Sequence, residues 1–181
     1  MQTQLTIRKA SCEDIPALDI LIPNSVKNLQ AAYYSREQMD GALGTVFGVD
    51  SQLIKDGTYF IAEVESNVVG CGGWSQRKTL FGGDKADNKE DNLLDPLHEP
   101  ARIRAYFVHP AWARRGIGSK IMAACESAAT AVGYSRLELV ATLAGEPLYK
   151  AHGFDDVEHF EISLPNGASL PVIRMSKHIH Q

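Results

Sequence analysis

The sequence lacks several features that define whole classes of proteins. No apolar run in its 181 residues is long enough to span a bilayer, and its first residues lack the basic-then-apolar order of a secretory signal. We therefore expect a cytoplasmic protein without a membrane partner. Its three cysteines, Cys12, Cys71 and Cys125, are too widely spaced for a disulfide framework or a metal cluster. We expect reduced, mostly buried thiols and no bound metal.

The chain also has little net charge. The net charge of −4 counts against a nucleic-acid partner. Residues 101–120 carry five basic residues and no acid, whereas residues 84–99 carry six acids against two lysines. This asymmetry predicts an anionic ligand near the first stretch and suggests a cationic substrate near the second. With 44% hydrophobic residues, the length predicts a single domain spanning 1–181.

The spacing of apolar and turn residues predicts an α/β domain with a mixed sheet. The predicted elements are a strand over 5–9, a helix after Ser11 that Pro23 ends or kinks, a helix from Ser35 to the 41–44 region, a helical turn over 52–55, strands over 58–64, 68–74 and 102–108, a helix from about 114 to 132, a strand over 136–140, a helix over 147–153, and strands over 157–164 and 170–177. Residues 79–100 form a long loop, of a kind that is usually a functional lid or disordered.

The most informative segment runs from Val108 to Ser119, where a strand, a turn and a helix start follow one another. Helix N-termini carry a partial positive charge and unpaired N–H groups, so acids are expected there. Arg114 and Arg115 have the opposite sign, and a bound anion removes this conflict. Gly116 and Gly118 would let that anion approach the backbone closely. The segment predicts a site for a phosphorylated ligand.

Two common phosphate-binding motifs do not match this turn. A dinucleotide-binding fingerprint would need a third glycine where Ile121 stands, and the spacing of a P-loop is absent. A solvated helix start that happens to carry two arginines is the alternative without a ligand.

Two motifs resemble those of the GCN5-related N-acetyltransferase (GNAT) family. Arg114-Arg-Gly-Ile-Gly-Ser119 after Phe-Val-His-Pro is similar to the family's acetyl-CoA site, with Ala113 where the family has Gln or Arg. Leu148-Tyr-Lys-Ala-His-Gly-Phe154 is similar to the family's Tyr-x-x-x-Gly-Phe. The resemblance implies a mixed, mostly antiparallel central sheet flanked by helices, with a splayed strand pair that holds CoA.

Acetyl-CoA is the co-substrate that the resemblance implies, and it also implies which residues bind it. Backbone groups of Phe107 and Val108 would pair with the pantetheine arm, and the amides at the helix start would hold the pyrophosphate. Thr142 stands where the family often has an asparagine. The implied cofactor-binding residues are Phe107, Val108, Arg114, Arg115, Gly116, Ile117, Gly118, Ser119, Lys120 and Thr142.

Acetyl transfer to an amine needs a polarised thioester carbonyl, a proton for the departing thiolate and a neutral amine. A free backbone N–H near Val108 would serve the first need. By resemblance Tyr149 donates the proton, and a reference pKa of about 10 keeps it protonated at neutral pH; the alternative is that its ring only packs on the sheet. Glu99 is our candidate base, with Glu63, His98 or ordered water as alternatives.

Further residues could contact the acceptor. Arg102 and Arg104 share one strand face and could hold a substrate carboxylate, although we favour pairing with acids of the 84–99 loop. Trp74, Tyr33 and Tyr34 could line an acceptor pocket or belong to the core.

The sequence therefore favours an N-acetyltransferase that moves the acetyl group of acetyl-CoA to a primary amine of a small molecule or peptide by direct attack on the thioester. The alternative is a non-catalytic acyl-CoA-binding or regulatory module of the same fold. Exposed strand edges also make a homodimer plausible.

Overall fold

The computed structural model describes residues 4–179. Its elements are β1 (Leu5–Lys9), α1 (Ile15–Leu29), α2 (Arg36–Ala42), α3 (Ser51–Lys55), β2 (Tyr59–Val64), β3 (Asn67–Ser75), β4 (Ala101–Val108), α4 (Ile117–Val132), β5 (Arg136–Ala141), α5 (Glu146–Ala151), β6 (Asp155–Ser163) and β7 (Ser169–His178). The predicted order of helices and strands is confirmed. None of the described helices is long and apolar enough to cross a membrane.

The seven strands form one sheet in the order β1-β2-β3-β4-β5-β7-β6. Only the β4–β5 pair is parallel, and the other neighbours are antiparallel. The predicted mixed, mostly antiparallel sheet flanked by helices is therefore confirmed.

The sheet separates two apolar cores. The α4-side core contains the buried stripe of α4, from Ile117 through Ile121 to Ala129, which packs on the sheet. The α1-side core contains the buried face of α1, including Leu18, Ile22 and Val26. Each helix covers one face of the sheet with residues at helical spacing, as the sequence pattern predicts.

Helix α1 continues through Pro23, so of the two predicted outcomes, an end or a kink of the helix, the end is wrong. A proline inside a helix gives up one backbone hydrogen bond to the residue four positions earlier, here Asp19. Asp19 is exposed, so water can reach its carbonyl. Ser25 and Val26 beyond the proline are buried, and their packing keeps the chain helical.

Strand β4 contains a bulge at Ala105, which has a left-handed φ of 55°. The register confirms it, because Arg104 faces Gly73 whereas Phe107 faces Cys71. The extra residue reverses the alternation of side chains. Ile103 belongs to the α4-side core and Phe107 to the α1-side core, although both have odd numbers.

Strands β4 and β5 pair only near their beginnings. The registered pairs are Ala101 with Leu137 and Arg102 with Glu138, after which β4 continues to Val108 without a partner on that side. The second half of β4 therefore presents backbone groups to a gap in the sheet.

Helix α4 begins at Ile117, three residues later than predicted. Arg114 and Gly116 have left-handed φ values of 60° and 82°, which a right-handed helix cannot include. The two arginines thus lie in the turn before the helix, not in its first turn as the sequence suggested.

Candidate active site

A cavity of about 720 Å³ occupies the gap between β4 and β5 and reaches both faces of the sheet. The turn before α4, the start of α4 and α5 line one side. The end of α1, residues 46–48 and 80–82, and the β6–β7 pair line the other. One continuous space therefore touches both cores, and it contains most of the residues that the sequence singled out.

The start of α4 forms one wall of the cavity. Its first intrahelical bond joins Lys120 N to Gly116 O, and no side chain caps the helix. The N–H groups of Ile117, Gly118 and Ser119 consequently have no partner within the helix, and no acid lies in the first turn. This arrangement suits an anion.

The basic residues around this helix start differ in position. Arg114 lines the cavity, whereas Arg115 is exposed and places its guanidinium 5.0 Å from the centre of the Trp112 ring. Lys120 is exposed and is not among the cavity-lining residues. Of the three predicted basic contacts, only Arg114 therefore borders the cavity.

The two glycines of the turn have different structural roles. Gly116 needs the left-handed conformation, and a Cβ there would meet open space. At Gly118 a Cβ would lie 2.9 Å from Leu148 Cδ2, so this glycine allows α4 to pack closely on α5. The sequence analysis predicted that both glycines let a ligand approach the backbone. For Gly118 the structure shows that a glycine is needed to pack α4 against α5.

The N–H of Val108 is not free, contrary to the sequence-based expectation. It donates to the hydroxyl of Ser25 on α1 at 3.3 Å, and both residues line the cavity. The Phe107 side chain is buried on the α1 side, where its ring meets that of Phe47 edge-on at 6.0 Å.

Tyr149 lies in the same cavity, on α5. Its ring packs edge-on against Tyr106 and Phe154, with centroid distances of 6.0 and 5.9 Å. Burial raises the pKa of its hydroxyl above the ordinary value, so the group is protonated at neutral pH. No other described residue hydrogen-bonds this hydroxyl, which leaves the proton available to a bound group.

Thr142 also lines the cavity, just after β5. Its hydroxyl accepts the N–H of Gly145 at 3.1 Å, and this bond shapes the turn into α5. Ser119 is linked to His152 by a contact of 2.9 Å between Oγ and Nε2, which joins the start of α4 to the end of α5 beside the site.

The candidate bases lie elsewhere. Glu99 sits in the turn before β4, at the end opposite Val108, and accepts the N–H of Asp95 at 3.2 Å. Glu63 pairs with Arg8, and His98 contacts Asp95. None of the three candidates lines the cavity. Within the described residues, the cavity lining contains no carboxylate and no histidine.

The two strand arginines pair with acids, as favoured, but not with those of the 84–99 loop. Arg104 is buried and donates to Asp50 at 2.8 Å, and also to the carbonyls of Thr79 and Gly82. Arg102 lies 3.6 Å from Glu138 on β5. Arg104 thereby fixes the start of the long loop, whose residues 80–82 reach the cavity.

The three aromatic candidates, Tyr33, Tyr34 and Trp74, differ in whether they line the cavity or belong to the core. Tyr33 is half exposed and lines the cavity. Trp74 is buried against Tyr134, and Tyr34 is a core residue whose hydroxyl donates to Pro171 O at 2.6 Å.

Sequence reasoning missed Ser25 and Gln30, both buried polar residues of the α1 end that line the cavity. A polar residue within the apolar face of a helix was the available signal.

All three cysteines are free thiols, as expected. Cys71 and Cys125 are buried, and burial raises the pKa of each thiol to about 12, so neither forms a reactive thiolate at neutral pH. Cys12 is exposed.

Comparison with known proteins points to the same family as the motifs. The acetyltransferase (GNAT) domain family matches residues 55–156. A search of curated proteins by sequence finds no significant match. Among solved structures, a GCN5-related N-acetyltransferase from Rhodopseudomonas palustris is 21% identical, with 99% of each chain covered and a TM-score of 0.72.

Two further solved structures share the fold. The PaiA N-acetyltransferase from Thermoplasma acidophilum, in complex with coenzyme A, is 15% identical over 97% of this chain and 99% of its own, with a TM-score of 0.65. A ribosomal-protein-alanine N-acetyltransferase from Brucella melitensis is 19% identical over 96% of this chain and 99% of its own, with a TM-score of 0.63. With the family match over more than half of its length, the chain belongs to the GNAT acetyltransferase family and is an acetyl-CoA-dependent acyltransferase.

Proposed function

We propose that the protein is an N-acetyltransferase that moves the acetyl group of acetyl-CoA to a primary amine of a small molecule or peptide. One observation carries the proposal. A protonated, buried phenol, that of Tyr149, shares a single cavity with an uncapped helix N-terminus and an unpaired strand edge. These are a proton donor, an anion site and a backbone hydrogen-bonding edge.

The residues present fit acetyl-CoA, which supplies the activated acetyl thioester. The N–H groups of Ile117, Gly118 and Ser119 would hold its pyrophosphate, and Arg114 adds a positive charge beside them. The unpaired part of β4 would hydrogen-bond the amide groups of the pantetheine arm, as a strand edge does with an added strand. Thr142 lies on the other side of the same gap.

Val108 would act on the carbonyl of the thioester and Tyr149 on its sulfur. The Val108 N–H would polarise the thioester carbonyl once it is released from Ser25. The acceptor nitrogen would form the new bond to the carbonyl carbon as the bond to sulfur breaks. Tyr149 would give its proton to the sulfur, the nitrogen would lose one proton to water, and water would then return a proton to Tyr149. Glu99 is not retained as the base, because it lies at the far end of β4.

The position of Tyr149 favours an enzyme over a non-catalytic acyl-CoA-binding module. A binding module needs the helix start and the strand gap but has no use for a protonated phenol in the same cavity. The apolar neighbours of Tyr149 hold it in place without using its hydroxyl.

The test is a thiol-release assay with acetyl-CoA and a panel of primary amines, amino acids, polyamines and peptides, with mass spectrometry of the products. We expect CoA to appear together with one acetylated amine. Calorimetry with CoA runs in parallel. Tight CoA binding without transfer to any acceptor would replace the proposal with the binding module.

A further inference from the structure

The part of the cavity on the α1 side of the sheet carries information about the acceptor. Its lining there is mostly apolar and partly aromatic, and it includes Val46, Phe47, Phe81, Ile162 and Val172. All five belong to or pack against the α1-side core. A molecule that fills this space would therefore meet mostly hydrocarbon.

The charges around the cavity do not favour a cation. Among the lining residues, all within 4–179, none is acidic, and the two charged ones are Arg104 and Arg114. Asp50 neutralises Arg104 at 2.8 Å, and Arg114 lies in the turn before α4. The acidic residues of the long loop, which suggested a cationic substrate, do not line the cavity. Asp84, for example, accepts hydrogen bonds from Ser51 instead.

One buried polar group on this side has no partner. Gln30, at the end of α1, is 7% exposed and lines the cavity. Its Oε1 atom is buried and accepts no hydrogen bond from any described residue. A buried carbonyl oxygen without a donor costs free energy, which a ligand donor would recover. The oxygen itself has less than 1 Å² of exposed surface, so the Gln30 side chain must turn toward the cavity before this oxygen can accept an N–H or O–H group of a bound molecule.

The position of Gln30 points to the acceptor and away from acetyl-CoA. Ser25, which contacts Val108 N, lies in α1 five residues before Gln30, the residue that caps this helix, or about 7.5 Å away along the helix axis. Gln30 thus lines the α1 side of the cavity, about one and a half helical turns from the contact between Ser25 and Val108. The pyrophosphate site at α4 lies on the other side of the sheet.

We propose that the acceptor is a small apolar or aromatic primary amine, and that Gln30 Oε1 accepts a hydrogen bond from one of its N–H or O–H groups. This rests on the proposed function and narrows it. Apolar surroundings lower the pKa of a bound amine, because they disfavour its charged form. The cavity would then help to supply the neutral nucleophile, and no carboxylate or histidine of the cavity lining would be required as a base.

The first experiment compares acceptors in the wild-type enzyme. Phenethylamine and tryptamine represent apolar amines, and spermidine and a short lysine-containing peptide represent cationic ones. We expect kcat/KM to be at least tenfold higher for the apolar pair. Equal or better turnover of spermidine or the peptide would overturn the inference and leave the proposed function intact.

The second experiment tests Gln30 as a positioning residue. Gln30→Leu should raise the KM for the preferred amine about tenfold while the KM for acetyl-CoA stays within twofold. Gln30→Glu should shift the preference toward spermidine, because it introduces a negative charge into a cavity lining that has none. Gln52→Leu, at a glutamine outside the cavity that bonds Asp56, is the matched control and should change neither constant.

The outcomes separate the two proposals. An unchanged amine KM in Gln30→Leu would overturn the role of Gln30, provided that circular dichroism and CoA binding show a folded variant. If Gln30→Leu does not fold, the test is made with Gln30→Glu. A variant whose preference between spermidine and the apolar amines equals that of the wild type would overturn the role of Gln30. CoA binding without acetylation of any amine would overturn both proposals together.

Discussion

The hydroxyl of Ser25 on α1 accepts the backbone N–H of Val108 at 3.3 Å, beside the half of β4 that has no partner on the β5 side. This bond occupies the N–H that the proposed mechanism directs at the thioester. Ser25→Ala removes the competing acceptor, so we expect the Kd for acetyl-CoA to fall about two- to threefold, measured by calorimetry. Ser135→Ala, at an exposed serine, is the control. A tenfold weaker Kd would show that the hydroxyl itself contacts the ligand.

Tyr149→Phe tests the proton donor. We expect kcat to fall about a hundredfold, the usual size of a general-acid contribution, while the Kd for CoA is unchanged. Stopped assays and calorimetry measure the two quantities. Retention of kcat within twofold would leave the ring with a packing role only.

Tyr106→Phe is the matched control for that experiment. Tyr106 lines the same cavity, but its hydroxyl is buried, and burial and the nearby Cys125 thiol raise its pKa without a hydrogen bond of ordinary geometry to any described residue. Removing it should leave kcat unchanged and raise the free energy of unfolding by about 1 kcal/mol. A loss of kcat equal to that of Tyr149→Phe would mean that both phenols serve the reaction.

Gly118→Ala tests the packing of α4 on α5. The new Cβ would lie 2.9 Å from Leu148 Cδ2, so we expect the free energy of unfolding to fall by about 1 kcal/mol. In a double-mutant cycle, Leu148→Ala should relieve that loss. Gly116→Ala should also destabilise, because its φ is 82°, but Leu148→Ala should not relieve it. Equal coupling in both cycles would contradict this distinction.

Replacing only one partner of the buried ion pair between Arg104 and Asp50 should lower the free energy of unfolding. Arg104→Met leaves a buried carboxylate whose remaining cation is Lys89, at 3.1 Å. We expect a loss of about 3 kcal/mol in urea unfolding. Arg104→Met combined with Asp50→Asn should recover part of it. A purely additive double variant would mean that the two charges are not coupled.

Acid should weaken the contact between Arg8 and Asp14. Two hydrogen bonds of 2.9 and 2.7 Å from the Arg8 guanidinium hold the pKa of Asp14 below its ordinary value. A carboxyl with a lowered folded pKa contributes stability above its unfolded pKa of about 4, and that contribution is lost as the pH falls through the folded pKa. Arg8→Met should therefore flatten the acid side of the pH–stability curve, measured by urea unfolding at a series of pH values. Arg36→Met, at an exposed ion pair, should not.

Local pattern was sufficient for most elements and for the anion site. Alternation and helical spacing predict most of the strands and helices, because burial on one face imposes those periods. The glycine-arginine turn could be found because an uncapped helix start needs particular residues next to one another in sequence. The helix start itself was placed too early, since the left-handed conformations of Arg114 and Gly116 are not visible in a hydrophobic pattern.

The sequence by itself thus determined the order of elements, the mixed sheet and the family motifs around Gly116 and Tyr149. Tertiary structure alone decided which acids pair with Arg104, that Val108 N–H meets Ser25, and that Glu99 lies away from the cavity. It also brought Gln30 into the cavity beside β4. The physical reason is separation along the chain. The contacts of Arg104 with Asp50 and of Val108 with Ser25 join residues 54 and 83 positions apart, and only the packing of α1 and the long loop against the bulged strand sets their geometry.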